Sequence, residues 1–234
     1  ATQLLPSMSM LSVSLVALSL APAAALLASD VASLKASLRQ RSTDVERGFS
    51  ADRAAKQALA ANVEALEALN EDEAPTKSGK LLGDWALDYT DAADVLSLKL
   101  VLAELGAIRQ DVKAGATPDS FAATNAVELR PLLSSSVLSP LFGLKPPPVT
   151  YAVEADCRVL DDTKLSLVFV GGALRPPVLP PLALALPSRA VDALHGLFQG
   201  RVYLRTTFLD DDLRVARGPG REIYVLSRVT ENDF

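Results

Sequence analysis

Three consecutive carboxylates, Asp210-Asp211-Asp212, stand between "RTTFL" and "LRVARG". Such a run invites a metal or acid–base reading. A calcium loop, however, places its oxygen ligands at alternating positions and includes a Gly, which this run lacks. Neighbouring residues of a strand also point to opposite faces, so three in a row meet one ion only where a loop curls around it. Both flanks alternate as strands do. The run therefore reads as a hairpin tip, with an ion pair to Arg214 or Arg217 as its second use.

Other reactive side chains are scarce. The chain has one Cys and one His, which excludes an internal disulfide framework and zinc sites of the usual His/Cys type. Cys157 falls on the apolar parity of "TYAVEADCRVL" with Tyr151, Val153, Ala155 and Val159, and reads as core rather than nucleophile. His195, in "VDALHGLF", lacks a Ser or Cys partner pattern and reads as structural. The sequence shows no Ser-His-Asp order, Gly-x-Ser-x-Gly elbow, phosphate loop or metal constellation. It reads as a non-enzyme that requires no cofactor. A net charge of −5 and an aromatic content of 5% argue against nucleic acid as a partner, because such binding rests on basic surfaces and stacking platforms.

The arginines are more informative. Arg205, Arg214, Arg217 and Arg228 all fall in segments that read as strands. On a wet face such a residue is ordinary. Projecting inward, it requires a counter-charge or the polar head of a ligand, since an unpaired buried cation costs several kcal/mol.

The elements that must position these residues begin with helices. After Asp30, a candidate N-cap, "VASLKASLRQ" puts Val31, Leu34 and Leu38 on one helical face. Ser50 is read as the cap of "ADRAAKQALAANVEALEALN", with Leu59, Val63 and Leu66 at helical spacing, Asp52 near the positive end, and Asn70 and Pro75 as stops. From residue 80 the period shifts towards two. "GDWALDY", "GAIRQDV" (106–112), "FAATNAVELR" (121–130), "TYAVEADCRVL" and "KLSLVFV" read as strands, the last with Leu165, Leu167 and Phe169 inward. "RVYLRTTFL" (201–209) places Val202, Leu204, Thr206 and Phe208 on one face and Tyr203, Arg205, Thr207 and Leu209 on the other. "DLRVARG" and "EIYVLSRV" follow, joined through Gly218-Pro219-Gly220. Residues 92–105 fit helix or strand. Residues 171–187, "GGALRPPVLPPLALALP", read as an apolar wrapped loop unable to form a central strand.

The amino-terminal end differs from everything after it. Residues 1–29 carry no charged side chain, and "MLSVSLVALSLAPAAALLAS" (10–29) is interrupted only by Pro22. As a helix it would span roughly 30 Å, the thickness of a bilayer's hydrocarbon. It reads as a retained membrane anchor, as a targeting segment in which "AAALLAS" offers small residues to a signal protease, or as a core helix. The chain thus divides into a hydrophobic anchor or targeting segment (1–29), a helical lead-in (30–75) and a β domain (76–234).

"LLGDWALDYT" (81–90) resembles the Gly-x-Trp strand that opens lipocalin-like barrels, with Gly83 and Trp85 in the matching places. "NAVEL" (125–129) and "RTTFLDDDLRVARGPGREIYVL" (205–226) resemble the plastid lipid-associated proteins, the plastid fibrillins, in which a similar "TTYLDEDLRI-RG" block closes the domain. The resemblance covers residues 34–229. Two features depart from it: the apolar 171–187 stretch, and the uncharged amino terminus, which favours membrane insertion over peripheral attachment.

The resemblance implies a mainly β fold with N-terminal helices, a lipocalin-like antiparallel β-barrel, in a chloroplast protein of the thylakoid membrane or plastoglobule. The implied ligand is a carotenoid, prenylquinone or other lipid. Trp85 and Tyr89 would line or floor the site, Trp85 equally as a plug without ligand contact. Whichever of Arg205, Arg214, Arg217 and Arg228 points inward would meet a polar head. Expected partners are lipids or pigments and the thylakoid membrane. The alternative is a structural protein with a self-filled barrel, coating lipid bodies or bracing a photosynthetic membrane complex.

Overall fold

The computed structural model describes residues 13–96, 103–131, 148–175, 182–183 and 203–230, with only the backbone of 13–27, 94, 103–104, 131, 174 and 182–183. His195 with its segment, most of the expected apolar loop beyond residue 175, and most of the anchor or targeting segment lie outside the residues whose side chains are described. Among those that are, no helix is long and apolar enough to cross a membrane.

Helix α1 spans Val13–Asp44 without a break. Asp30 therefore sits inside the helix and does not cap one. The reason is local: no Gly or Pro stands between Pro22 and Gly48, and an Asp in a helix interior costs only about 0.5 kcal/mol. The chain reverses through Glu46 (φ 50°), Arg47 (φ 63°) and Gly48 (φ 105°). A Cβ on Gly48 would lie 2.0 Å from the carbonyl oxygen of Thr90, so only glycine lets the turn press this close to the sheet. Helix α2, Arg53–Glu67, is capped by Asp52, whose carboxylate accepts from the Ala55 N–H at 2.7 Å. Asp52, not Ser50, is the cap; it lies next to the first helical residue, where the unsatisfied N–H groups are.

Nine strands follow among the described residues: β1 Gly83–Thr90, β2 Ala103–Ala114, β3 Ser120–Pro131, β4 Val149–Val159, β5 Lys164–Arg175, β6 Leu182–Ala183, β7 Tyr203–Leu209, β8 Leu213–Arg217 and β9 Ile223–Arg228. The ambiguous stretch after β1 begins as one helical turn, α3, Ala93–Leu96, and ends as the start of β2. All pairings are antiparallel, in the order β4-β3-β2-β1-β9-β8-β7-β5, and β4 also pairs β5. The eight strands close on themselves as the lipocalin-like resemblance implies, which removes exposed edges. β6 adds a short rung on β5 at Ala173 and Leu174. Residues 171–175, expected to be loop, continue β5 because the prolines begin only at Pro176.

Two apolar cores result. An inner core lies within the barrel around Trp85, with Leu81, Leu87, Val112, Phe121, Ala123, Ala155, Cys157, Leu165, Leu209 and Leu226. An outer core joins the helices to the barrel's outside, with Leu38, Leu59, Val63 and Leu66 packed on Tyr89, Phe208, Leu213, Val215 and Val225. Leu59, Val63 and Leu66 are buried as their helical spacing predicts.

Bulges decide which core a side chain joins. Register shifts between Leu87 and Tyr89 in β1, and between Thr206 and Phe208 in β7. An extra residue moves the following side chains to the other face. Tyr89 consequently leaves the side of Trp85 and Leu87 for the outer core. Phe208 likewise joins the outer core while Leu209 turns inward, the reverse of the simple alternation expected for β7.

Candidate functional site

The acidic run is a hairpin tip between β7 and β8. Asp210 accepts from the backbone N–H groups of Asp212 (3.1 Å) and Leu213 (2.8 Å), a turn closed by its own side chain. The three carboxylates then diverge. Asp210 meets the Lys35 ammonium at 2.6 Å, Asp211 meets Lys80 at 3.1 Å, and Asp212 meets both Lys35 and Arg39, the latter at 2.7 Å. The cations thus come from α1 and from Lys80, and not from Arg214 or Arg217 as expected. Partial burial alone would raise the Asp212 carboxyl, but hydrogen bonds from Arg39 and Lys35 hold it well below the usual range. Among the described residues, no group of His, Cys, Asp or Glu side chains is arranged to hold a metal ion.

The four strand arginines separate cleanly. Arg205 is exposed on the outside of β7. Arg217, three residues beyond Arg214, faces the helices and forms a forked pair with Glu67, Nε to Oε1 at 2.7 Å and Nη2 to Oε2 at 2.8 Å. Arg228 covers one end of the barrel: it donates to the carbonyls of Leu82 (2.8 Å), Lys80 and Asp211 (2.6 Å), with its guanidinium carbon 4.3 Å from the centre of the Trp85 ring. Arg214 alone enters the barrel and is 3% exposed.

Trp85 is the floor of this interior. It is fully buried, its indole N–H donates to the Leu81 carbonyl at 3.0 Å, and the Arg214 guanidinium carbon lies 5.9 Å from its ring centre. The turn of 3-10 helix Gly79–Leu81, capped by Ser78, brings Leu81 under it. Tyr89 contributes nothing to this floor. Its hydroxyl is buried against the helices without a hydrogen-bond partner among the described residues, and burial followed by the charge of Asp91 pushes it up to about 12.

Arg214 is the electrostatic anomaly of the inner core. Its Nε and Nη1 are buried without a hydrogen-bond partner, and no ion pair is formed with it by a described carboxylate. Desolvation lowers the guanidinium to about 10, with the Cys157 thiol acting weakly in the opposite sense. Burial in turn raises that thiol to about 11, which suits the core role read for Cys157.

Two inward amides were not singled out from the sequence. Gln110 is the cross-strand partner of both Trp85 and Asn125, and its Nε2 donates to the Asn125 Oδ1 at 2.8 Å. The Gln110 Oε1 has no partner among the described residues. The signal was present: Gln110 lies at the same parity as Ile108 and Val112, a polar residue on an apolar face. Beyond this pair the inner face continues through Ile108, Val127, Val153 and Tyr151, all only partly buried although they line the barrel.

Where β1 and β2 part beyond the Ala86–Arg109 pair, a cleft of about 420 Å³ opens. It is lined by Arg39, Ser42, Thr43, Arg47, Asp88 and Ser227, and by Leu87 and Ile108, which also belong to the inner core or pack against it. Arg47 donates to the Leu105 carbonyl at 3.4 Å, while its Nε is buried without a partner. Asp88 accepts from Ser227 at 2.5 Å, and burial raises its carboxyl against that bond. A larger cleft, about 610 Å³, lies between Val31 of α1, residues 71–74 and the end of β7, with Glu71, Asp72, Glu73, Asp210 and Lys80 around it.

Comparison with known proteins supplies the context. The PAP_fibrillin family model matches residues 32–227. The plastid lipid-associated protein 3, chloroplastic, of Brassica campestris is 29% identical over 226 residues, covering 83% of this chain and 60% of that protein. Plastoglobulin-1, chloroplastic, of Pisum sativum is 28% identical over 234 residues, with 83% and 60% covered. A probable plastid-lipid-associated protein 3, chloroplastic, of Arabidopsis thaliana is 28% identical, with 83% and 57% covered. The chain spans about 60% of the length of the first two relatives.

Proposed function

The chain belongs to the PAP_fibrillin family, and from that premise we propose that it is a chloroplast protein of plastoglobules or thylakoid membranes that holds a small lipophilic molecule in its barrel and catalyses nothing. The names of its relatives, plastid lipid-associated protein and plastoglobulin, support the location and the association with lipid. The observation that carries the binding role is the barrel's own wall. Ile108, Val127, Val153 and Tyr151 face inward yet keep accessible surface, whereas a self-filled barrel would bury them. A carotenoid, prenylquinone or acyl lipid is the ligand class, Trp85 its floor. The uncharged residues 1–29 are proposed as a membrane anchor, which carbonate extraction tests: an anchored chain stays with the membrane pellet.

A second reading has its own observation. Val168 (48% exposed) and Val170 (54%) point outward from β5, and Leu160 (58%) stands at the β4–β5 hairpin. Such a surface suits a coat on lipid bodies or a brace on a photosynthetic membrane complex. Mass spectrometry of small molecules released from the gently purified protein separates the two. One dominant lipophile near equal stoichiometry establishes the carrier; a mixture resembling bulk membrane lipid, or nothing, favours the coat.

A further inference from the structure

The buried polar groups of the barrel define more than a lipophilic cavity. We propose that the barrel selects a single-chain amphiphile with an anionic head, a carboxylate on an aliphatic tail, and seats that head between Arg214 and the Gln110–Asn125 amide pair. The inference rests on the carrier reading above and names its ligand class.

Arg214 is 3% exposed, yet its Nε and Nη1 donate to nothing among the described residues. A guanidinium presents its N–H donors as a planar fork that matches a carboxylate. Held over Trp85, with Leu209 and Leu226 as its cross-strand partners, the charge is paired by no described carboxylate. A structural arginine is expected to look like Arg217, forked on Glu67, or like Arg228, spent on three carbonyls. Arg214 is neither.

The cleft between β1 and β2 is the proposed way in. Arg214 pairs with Leu226 across β8–β9, and Leu226 with Leu87 across β9–β1. These residues form one row on the inner face, and its last member, Leu87, lines the cleft between β1 and β2. Ile108 opposite lines the same cleft. Arg39 and Arg47 flank the mouth; Asp88 also stands there, hydrogen-bonded to Ser227. An anion entering tail-last would pass Arg39, which is already paired with Asp212, and Arg47 before it reaches Arg214. Its tail would lie along Ile108, Val127, Val153 and Tyr151.

The chain's one tryptophan makes the test direct. The full 234-residue protein, freed of endogenous lipid, is titrated with hexadecanoate, methyl hexadecanoate, a decyl-chain plastoquinone analogue, and hexadecanoates brominated at carbon 2 or carbon 16, with Trp85 emission as readout. Hexadecanoate is expected to bind at least tenfold tighter than its methyl ester, and bromine at carbon 2 to quench Trp85 more than bromine at carbon 16. Arg214→Met is expected to lose about tenfold in hexadecanoate affinity and none for the ester, with Arg214→Lys intermediate. Equal binding of acid and ester, or stronger quenching from carbon 16, overturns the anionic head-in arrangement. That comparison uses the unaltered protein and stands even if a variant fails to fold. If the quinone analogue and ester bind while charge makes no difference, the carrier reading survives and this inference falls. If no lipophile binds, both fall.

Discussion

Arg214 and Arg217 stand three residues apart on β8, on opposite faces of the same strand, and their surroundings could hardly differ more. Arg217 faces the seam between barrel and helices, where Glu67 of α2 takes both edges of its guanidinium and also accepts the Thr207 hydroxyl. Asn70 accepts the Leu209 N–H at the same seam. That outer core answers its buried charge, although the Tyr89 hydroxyl and the Asn62 Oδ1 are buried there without a partner among the described residues. The inner core has an unmatched guanidinium and an unmatched amide oxygen within a row of leucines. Matched groups are what folding alone selects, because an unsatisfied buried group costs free energy. The unpaired charge inside the barrel is the feature that the proposed ligand would answer.

The contrast can be pressed experimentally, and the largest effect belongs to the outer core. Leu59 is 1% exposed at the centre of the seam, so Leu59→Ala should remove about 3 kcal/mol in urea unfolding, as buried Leu-to-Ala changes do. A loss below about 1 kcal/mol would show that the helices do not contribute to the barrel's cooperative unit.

Next comes Glu67→Ala, which strands Arg217 and Thr207 together. It is expected to cost about 2 kcal/mol, less than a fully buried pair because both partners keep some access to water. Glu67→Leu combined with Arg217→Met should recover most of that loss. No recovery would mean that Glu67 acts through something other than the pair.

Arg214→Met should have the opposite sign. In lipid-free protein, removing an unanswered buried charge is expected to raise stability by about 1 kcal/mol, seen as a higher Tm. A clear fall in Tm would place Arg214 with Arg217 as a structural arginine and erase the distinction.

Smallest is the effect of pH on the hairpin tip. The folded-state pKa of Asp212 is depressed by Arg39 and Lys35 despite partial burial. Its contribution is therefore present above the unfolded value of about 3.9 and lost as pH falls through the lower folded value. Asp88, raised by burial, works in the other direction: its contribution is present below about 3.9 and lost as pH rises through its folded value. Acidification should thus loosen α1 from the β7–β8 tip while sparing the barrel strands. Amide hydrogen exchange at pH 3 and pH 6 checks this: residues 31–44 should gain exchange relative to β3 and β4. Uniform change across both would contradict it.

Much of this architecture was legible in the residues themselves. Strands with one dry face alternate, and "TYAVEADCRVL" gave Ala155 and Cys157 as inward without ambiguity. Gly83 and Trp85 announced the barrel's opening strand and its floor. Bulges were not legible, since an extra residue shifts parity without changing composition; Tyr89 and Phe208 were misassigned for that reason. β8 defeats pattern reading in another way. It has helices on one side and the barrel interior on the other, so Leu213, Arg214, Val215 and Ala216 are all buried and no wet face shows which way Arg214 points. The partners of the acidic tip were equally hidden, because Lys35 and Arg39 lie more than 170 residues away.

Cys157 gives the inner core a chemical clock. The chain has one thiol, buried in the barrel beside the Arg214 charge and raised to about 11. At pH 8 only about 0.1% of it is thiolate, against roughly a quarter for an unfolded cysteine near 8.5. Alkylating reagents attack the thiolate, so labelling would run roughly two hundredfold slower in the closed barrel before steric shielding is counted. The rate at which iodoacetamide finds this one sulfur therefore measures how often the barrel opens, and a ligand that closes the interior should lengthen that interval.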